Sequence, residues 1–283
     1  MANHLLSFFL WFFLFFFSGS SFSEAQSVPA IFFIGDSLLD VGNNNYLPVS
    51  YAKANFPRNG IDFPTKEATG RFSNGKNAAD FASEKFGLPT SPPFLALVEK
   101  NDASFDAGVS FASGGAGILN STDPTFRLHM YGARKFLFTG VPVIGCVPEE
   151  RVKNETGDCN QEKNFWATKY NEGLVPMLRG LKSELQGMNY TYFDTYSFMQ
   201  KIIENPSTYG FSEIKSACCG LGTLKAVVPC LPVADYCPNR TDHLFWDLYH
   251  PTETAYRILA DAVYDGSSEY TFPINLRQLA SAP

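Results

Sequence analysis

The chain has 283 residues, enough for one large or two small domains, and either can bury a hydrophobic core. Its formal net charge is −6 and its pI is about 5.3, so it lacks the basic surface that is typical of nucleic-acid-binding proteins. We therefore expect a well-packed globular protein with no nucleic-acid partner.

The N-terminus predicts a secretory signal peptide over residues 1–25. The apolar run LLSFFLWFFLFFF occupies residues 5–17, which is short for a bilayer span. Small residues follow, with Ser23 and Ala25 at the spacing of a signal peptidase site. We expect cleavage near Ala25 and a secreted, extracellular mature domain over 26–283 with no stable membrane span. An uncleaved membrane anchor is the alternative.

The mature chain alternates strand-like and helix-like segments. The continuous apolar run 28–35 predicts a strand buried on both faces of a parallel sheet. A helix is predicted over 74–89, with Asn74 as a possible cap and Gly87 at its end. Further strands are predicted over 107–115, 133–141 and 190–196. This alternation predicts an α/β fold in a single domain.

Two further helices are predicted in the second half of the chain. The segment 161–186 places four leucines on one helical face, and Pro176 is expected to kink it. These leucines are Leu174, Leu178, Leu181 and Leu185. The last helix is predicted over 251–265, with Pro251 in its first turn.

The cysteines and glycosylation sequons agree with secretion. Six cysteines, all in the second half, fit an oxidising compartment. Cys218 and Cys219 are adjacent, so each is expected to pair with a different partner, and the connectivity stays open. Four sequons predict N-linked glycans, at Asn120, Asn154, Asn189 and Asn239.

The motif Gly-Asp-Ser directly follows the first predicted strand. Ligands of α/β proteins bind beyond the carboxyl ends of the strands, so Ser37 is a candidate nucleophile. If a helix begins at Ser37, its free N–H groups and its dipole favour an oxyanion beside the serine. A serine in an ordinary turn is the alternative.

A serine nucleophile needs a base, and His250 is the strongest candidate among the four histidines. Asp247 precedes it by three residues. This spacing can place the carboxylate against Nδ1 and leave Nε2 free to accept a proton. The alternative is a pair that only caps the following helix.

The chain resembles the plant GDSL esterase/lipase family, a branch of the serine hydrolases, in six motifs that occur in order. They are FFIGDSLLDVGNNNYL, GRFSNGKNAADFASEKFGLP, GVSFASGGAGI, GARKFLFTGVPVIGCVP, ACCGLG and FWDLYHPTETAY. The resemblance runs from about Ala30 to Asn275. It implies a flavodoxin-like α/β/α sandwich with a parallel sheet, and hydrolysis of carboxylic esters, often of lipids or of the cell wall.

The resemblance also assigns roles to individual residues. It implies that Ser37 is the nucleophile and that its backbone N–H is one donor of the oxyanion hole. Gly115 offers a second N–H, with Gly114 as the next choice. His250 is the expected general base and Asp247 the residue that orients it.

Other expectations follow from the same resemblance. Asp36 is expected to have a structural role, and the asparagines 43–45 to organise their loop through bonds to the backbone. No metal or organic cofactor is implied, and we expect a monomer.

One family motif is missing. Members carry a Gly-x-Asn-Asp block whose Asn completes the oxyanion hole, between the GGAGI and GARKF motifs. Here those motifs are joined by a short segment, so the resemblance implies an internal deletion near 119–131 that removes the central strand of the sheet. Loss of one oxyanion donor typically costs about 100- to 1,000-fold in rate.

Three alternatives therefore stay open. The first is a secreted serine esterase that acts by hydrolysis or by acyl transfer. The second is a catalytically impaired secreted glycoprotein that binds lipid or cell-wall ligands. The third is a chain that does not fold.

Overall fold

The computed structural model describes residues 28–98, 100, 104–117, 128–129 and 132–283. The predicted signal peptide, the sequon at Asn120 and most of the segment 119–131 lie outside the described residues. The helices in chain order are α1 (Ala78–Lys85), α2 (Phe94–Val98), α3 (Pro148–Arg151), α4 (Gln161–Glu184), α5 (Thr195–Glu204), α6 (Glu253–Asp265) and α7 (Leu276–Ser281). No helix in this described part is long and apolar enough to cross a bilayer.

Seven short strands form three small sheets within the described residues. They are β1 (Lys135–Thr139), β2 (Asn189–Phe193), β3 (Glu213–Ala217), β4 (Cys219–Gly220), β5 (Asp235–Tyr236), β6 (His243–Phe245) and β7 (Thr271–Phe272). The strand order of the largest sheet is β1-β2-β7, with β1 and β2 parallel and β7 antiparallel. Strands β3 and β6 are also parallel, and β4 pairs with β5 antiparallel. Helices combined with parallel strands confirm the predicted α/β class.

The predicted strands 28–35 and 107–115 lie side by side but form only isolated bridges. Phe33 pairs in parallel with Ser110, and the Phe33 N–H donates to Val109 O at 3.1 Å. Phe111 N–H in turn donates to Phe33 O at 2.8 Å. The two segments therefore run as expected, with less regular pairing than a full sheet has.

The second edge of the segment 28–35 has no strand partner among the described residues. Phe32 and Ile34 lie on one face of this extended segment and are 54% and 49% exposed, whereas Phe33, on the opposite face, is buried. Leu137 of β1 is similarly 38% exposed. Apolar side chains of both segments are therefore partly exposed in the described part of the chain.

Helix α7 contacts both the segment 28–35 and β1. Ala280 packs in one apolar cluster with Val28 and Ile31, beside the first predicted strand. The Ala280 carbonyl accepts a hydrogen bond from Lys135 Nζ of β1 at 2.7 Å. A common helix thus holds the strands 28–35 and β1 in one body, although no described strand joins them.

Two helix starts differ from the sequence prediction. Helix α1 begins after Asn77, whose side chain accepts the N–H groups of Ala79 and Asp80, so the prediction of Asn74 as the cap is wrong. Asn74 instead accepts the N–H of Glu253 at 2.8 Å. Gly87 has a positive φ of 67° and follows the end of α1, as predicted.

The last long helix begins later than predicted. Its cap is Thr252, which accepts the Ala255 N–H, so Pro251 lies before the cap and not in the first turn. No helix begins at Ser37 either: residues 37–39 form a turn, and a short 3-10 helix covers Asn43–Tyr46. The helix dipole expected behind Ser37 is therefore absent.

Helix α4 confirms its predicted apolar face. Leu178 and Leu185 are buried, and they pack with Tyr190 and Tyr192 of β2. Leu174 and Leu181 pack against the same cluster. Pro176 lies inside the helix, which is continuous over its 24 residues.

All six cysteines form disulfides, which pair Cys146 with Cys159, Cys218 with Cys237 and Cys219 with Cys230. The expectation that Cys218 and Cys219 take different partners is confirmed. The last two bridges pack around the fully buried Trp246. These two disulfides therefore restrain the position of Trp246, where the segment that carries Asp247 and His250 begins.

Candidate active site

Ser37 and His250 meet at the upper end of the first predicted strand. The Oγ atom of Ser37 lies 2.8 Å from His250 Nε2, which is hydrogen-bonding distance. The residues are 213 positions apart in the chain. The fold thus brings together the two residues that the sequence selects as nucleophile and base.

Asp247 binds the nitrogen of the His250 ring that does not face Ser37. Both of its carboxylate oxygens lie 2.8 Å from His250 Nδ1. The Oδ1 atom also accepts the backbone N–H groups of Tyr249 and His250, each at 2.9 Å. The carboxylate is therefore fixed from three directions, and the imidazole is held with Nε2 toward Ser37.

Asp247 is held in its ionised form although it is buried. Burial alone raises the pKa of this carboxyl. The attraction of His250, together with the hydrogen bonds of the turn, outweighs the burial and holds the pKa of Asp247 below its usual range. An ionised Asp247 can stabilise an imidazolium that forms when His250 accepts a proton.

The turn that carries Asp247 and His250 folds back on β6. Trp246 N–H donates to His250 O at 2.7 Å, and Phe245 forms an antiparallel bridge with Pro251. The indole Nε1 of Trp246 donates to Asn59 Oδ1 at 3.0 Å. Both ends of the turn are thus anchored in the core, which restrains the position of the histidine ring.

Phe72 forms one wall of the site. Its ring centroid lies 4.9 Å from that of His250, with the ring planes tilted by 34°. Phe72 is buried. It lies within GRFSNG, in which the sequence alone marks no residue as a support for the base.

The backbone N–H groups of the candidate oxyanion donors differ in whether they are already hydrogen-bonded. Those of Ser37 and Gly115 donate to no acceptor within the described residues. The N–H of Gly114 is already used, since it donates to Asp40 Oδ2 at 2.9 Å. Between the two glycines that the sequence leaves open, the free donor is thus on Gly115.

Asp36 and the three asparagines bind backbone groups. Asp36 Oδ1 accepts the Leu38 N–H at 3.0 Å, within the turn that carries Ser37. Asn43, Asn44 and Asn45 all donate from their side chains to backbone carbonyls. These bonds agree with the structural roles expected from the sequence.

A second Asp–His pair lies away from this site. His243 Nδ1 lies 2.6 Å from Asp242 Oδ1, and Ser212 Oγ donates to the other carboxylate oxygen at 3.1 Å. Here the serine and the histidine both bind the carboxylate, so the histidine does not face the hydroxyl. This pair cannot activate its serine in the way that His250 can.

Comparison with known proteins identifies relatives. Residues 123–263 match the family model described as GDSL-like Lipase/Acylhydrolase. The Arabidopsis thaliana protein GDSL esterase/lipase At5g55050 is 42% identical over 343 aligned positions, which cover 91% of each chain. GDSL esterase/lipase At5g37690 from the same plant is 31% identical, with 87% of this chain and 92% of the relative covered.

The alignment with the 42%-identical relative is longer than this chain. The 343 aligned positions exceed the 283 residues of this chain by 60. The alignment with this relative therefore contains at least 60 positions at which the relative has a residue and this chain has none.

Proposed function

Because the chain belongs to the GDSL-like lipase/acylhydrolase family of α/β hydrolases, we propose that it is a serine esterase that hydrolyses carboxylic esters through an acyl-enzyme on Ser37. The observation that carries the proposal is the row Ser37–His250–Asp247, with 2.8 Å between Oγ and Nε2 and 2.8 Å between Nδ1 and the carboxylate. These are the distances that proton transfer from a serine requires.

The reaction follows from this row. His250 Nε2 takes the proton of Ser37 as Oγ bonds to the ester carbonyl carbon, and the carbonyl oxygen becomes an oxyanion. The N–H groups of Ser37 and Gly115 are the expected hydrogen-bond donors to that charge. The C–O bond to the alcohol then breaks, and the alcohol leaves with the proton from His250. In the second half of the reaction His250 takes a proton from water as the water oxygen bonds to the acyl carbon. The bond between that carbon and Ser37 Oγ then breaks, the acid leaves, and His250 returns the proton to Oγ. An alcohol in place of water gives acyl transfer.

We place an internal deletion near 119–131. The exposed apolar side chains of Phe32, Ile34 and Leu137 support this place. The 60 or more positions that the 42%-identical relative has in excess support a deletion but do not locate it. The deleted segment would carry the Asn of the missing motif. We therefore expect an esterase that works with two oxyanion donors and is slower than its full-length relatives.

The same observations favour one alternative function. Exposed apolar side chains on the strands and an incomplete oxyanion hole fit a catalytically impaired glycoprotein that binds lipid or cell-wall ligands. In that case ligand binding survives the change Ser37→Ala, whereas turnover is absent in the wild type.

Secretion and glycosylation belong to the proposal. The three disulfides suit an extracellular, single hydrolase domain over 26–283. Asn154 and Asn239 are exposed and accessible to glycan addition. Asn189 begins β2, and the hydroxyl of its sequon partner Thr191 is bonded to Ile274 O. We therefore expect glycans at Asn154 and Asn239 before Asn189.

The test is ester hydrolysis by the purified secreted protein. Nitrophenyl esters from acetate to palmitate measure both activity and acyl-length preference. Ser37→Ala should abolish hydrolysis, and Ser212→Ala is the matched control because Ser212 lies beside the second Asp–His pair. Equal hydrolysis by wild type and Ser37→Ala would contradict the proposal.

A further inference from the structure

The loop after Ser37 is hydrogen-bonded to the glycine-containing segment of the neighbouring predicted strand. Residues 40–45 and residues 110–114 are joined by hydrogen bonds from side chains of the first to the backbone of the second. Asn43 Nδ2, for example, donates to Ser110 O at 2.7 Å and to Ala112 O at 2.8 Å. The segment that follows Ser37 and the segment that precedes Gly115 are therefore joined directly to each other.

Asp40 is the centre of this contact and is fully buried. Its Oδ1 accepts the N–H groups of Gly42 and Asn43 at 2.8 and 2.7 Å, which shapes its own loop. Its Oδ2 reaches across and accepts the N–H of Gly114 at 2.9 Å. One carboxylate thus ties the nucleophile loop to the glycine segment.

Asn44 holds the other side of Gly114. Its Nδ2 donates to Gly114 O at 2.8 Å and to Ala52 O at 2.7 Å, and its Oδ1 accepts the hydroxyl of Ser113. Asn44 is almost completely buried. Its side chain is therefore held by several bonds in one orientation.

The geometry of the peptide bond connects these contacts to the oxyanion hole. Gly114 O and the Gly115 N–H belong to the same planar peptide unit and point in opposite directions. When Asn44 fixes the carbonyl, and Asp40 fixes the preceding N–H, the direction of the Gly115 N–H is fixed as well. That N–H is the donor that remains free.

We propose that Asp40 and Asn44 are positioning residues that aim the Gly115 N–H at the oxyanion. The inference rests on the proposed esterase function and deepens it. Neither residue touches the reacting atoms; they act through the Gly114–Gly115 peptide. Because Asp40 accepts the Gly114 N–H, that N–H cannot bind the oxyanion, and the glycine donor that remains is the Gly115 N–H.

The site itself favours glycine at both positions. Gly115 has φ of +83°, a conformation that side chains disfavour. A Cβ on Gly114 would lie 2.7 Å from the Phe72 ring and 2.8 Å from Asn44 Nδ2. A side chain there would push Asn44 off the carbonyl that it holds, and would press on the ring that supports His250.

The chain offers a matched control. Asn45 belongs to the same loop and is the same residue type, but its Nδ2 donates to Thr69 O at 2.9 Å and not to the glycine segment. Asn45→Ala should therefore disturb the loop without turning the Gly114–Gly115 peptide. Any effect specific to that peptide should separate Asn44→Ala from Asn45→Ala.

The experiment compares Asp40→Asn, Asn44→Ala and Asn45→Ala with the wild type in ester hydrolysis. The kcat is divided by the fraction of chains that a fluorophosphonate labels at completion, so unfolded protein does not count. For Asp40→Asn and Asn44→Ala we expect kcat to fall by about 10-fold or more, part of the loss for a removed oxyanion donor, with KM nearly unchanged. Asn45→Ala should keep kcat within about threefold of the wild type, since its donor is intact.

Amide hydrogen exchange gives a second readout that does not need activity. In the wild type the Gly114 amide should exchange slowly because Asp40 accepts it, and the Gly115 amide should exchange fast. In Asp40→Ala, which removes both acceptor oxygens, the protection of Gly114 should be lost while the core amides of β2 keep theirs. Unchanged protection of Gly114 in this variant would overturn the role of Asp40.

The outcomes separate the inference from the function on which it rests. An active wild type with equal normalised kcat in Asn44→Ala and Asn45→Ala overturns the positioning role alone. A wild type that neither hydrolyses esters nor is labelled at Ser37 overturns the esterase proposal, and the inference with it.

Discussion

The ring of Phe72 lies 4.9 Å from the imidazole of His250, against the face of the base that Ser37 and Asp247 leave open. Phe72 is buried, so its removal leaves a space beside the histidine. The position of His250 therefore depends on packing as well as on its two hydrogen bonds.

Phe72→Ala should lower both stability and activity. Truncation of a buried phenylalanine costs about 3–5 kcal/mol in free energy of unfolding. The freed imidazole should lower kcat per folded molecule as well. Phe86→Ala is the control, because Phe86 is equally buried but packs on Tyr264, away from the site. A fall in kcat equal to that of Phe86→Ala would show that Phe72 acts on stability alone.

Asp247→Asn should keep the fold and remove most of the activity. Asparagine has the shape of the carboxylate but holds His250 in the wrong tautomer, and it cannot stabilise the imidazolium. In a serine protease with the same Ser-His-Asp arrangement the corresponding change lowers kcat about 10,000-fold. Asp242→Asn alters the second Asp–His pair in the same way, and we expect it to leave kcat unchanged. Steady-state kinetics measure the kcat of both variants, and an equal kcat in the two would contradict the role of Asp247.

The Glu150 cluster should make stability depend on acid. Glu150 Oε1 accepts hydrogen bonds from Lys153 and Lys163 at 2.8 and 2.7 Å, and Oε2 accepts one from Asn160. Burial opposes ionisation, but these bonds outweigh it and lower the pKa of Glu150 from 4.5 to about 2.

A carboxyl whose pKa is lower in the folded state stabilises the fold above its unfolded pKa. The stability difference between wild type and Glu150→Gln should therefore be fully present above about pH 4.5 and vanish as the pH falls to about 2. Urea unfolding at a series of pH values measures it. The exposed pair Lys169–Glu172 supplies the control variant Glu172→Gln, for which a much smaller pH dependence is expected. The same pH dependence in both variants would argue against a special role of Glu150.

Restoring the missing segment should raise the rate. A chimera carries the corresponding residues of the 42%-identical Arabidopsis relative in place of residues 119–131. If these residues bring the third oxyanion donor, kcat should rise by about 100- to 1,000-fold. Phe32 and Ile34 should lose solvent exposure in the same chimera, which hydrogen exchange of their segment reports. Faster turnover without that protection would contradict the proposed place of the deletion.

Local spacing predicted the parts of the site that lie close in sequence. Asp247 and His250 are three residues apart, and their contact needs only one turn. Ser37 at a strand end and His250 before a helix were also predicted, because an α/β fold gathers such ends at one edge.

Contacts between distant segments could not be predicted in this way. The choice between Gly114 and Gly115 depends on which N–H Asp40 accepts across 74 positions of chain. The start of α1 similarly depends on a distant contact. Asn74 accepts the Glu253 N–H, 179 residues away, and Asn77 caps the helix instead. Disulfide connectivity is set by the same kind of long-range packing.

The most direct test of the assembled site is covalent labelling of the purified protein with a fluorophosphonate, followed by mass spectrometry of its peptides. Native wild-type protein and Ser212→Ala should each carry one label, on the peptide that contains Ser37. Ser37→Ala and urea-unfolded wild type should carry none. A natively folded chain that unfolds cooperatively and takes no label, or a label that persists in Ser37→Ala, would contradict the assignment of Ser37 as an activated nucleophile.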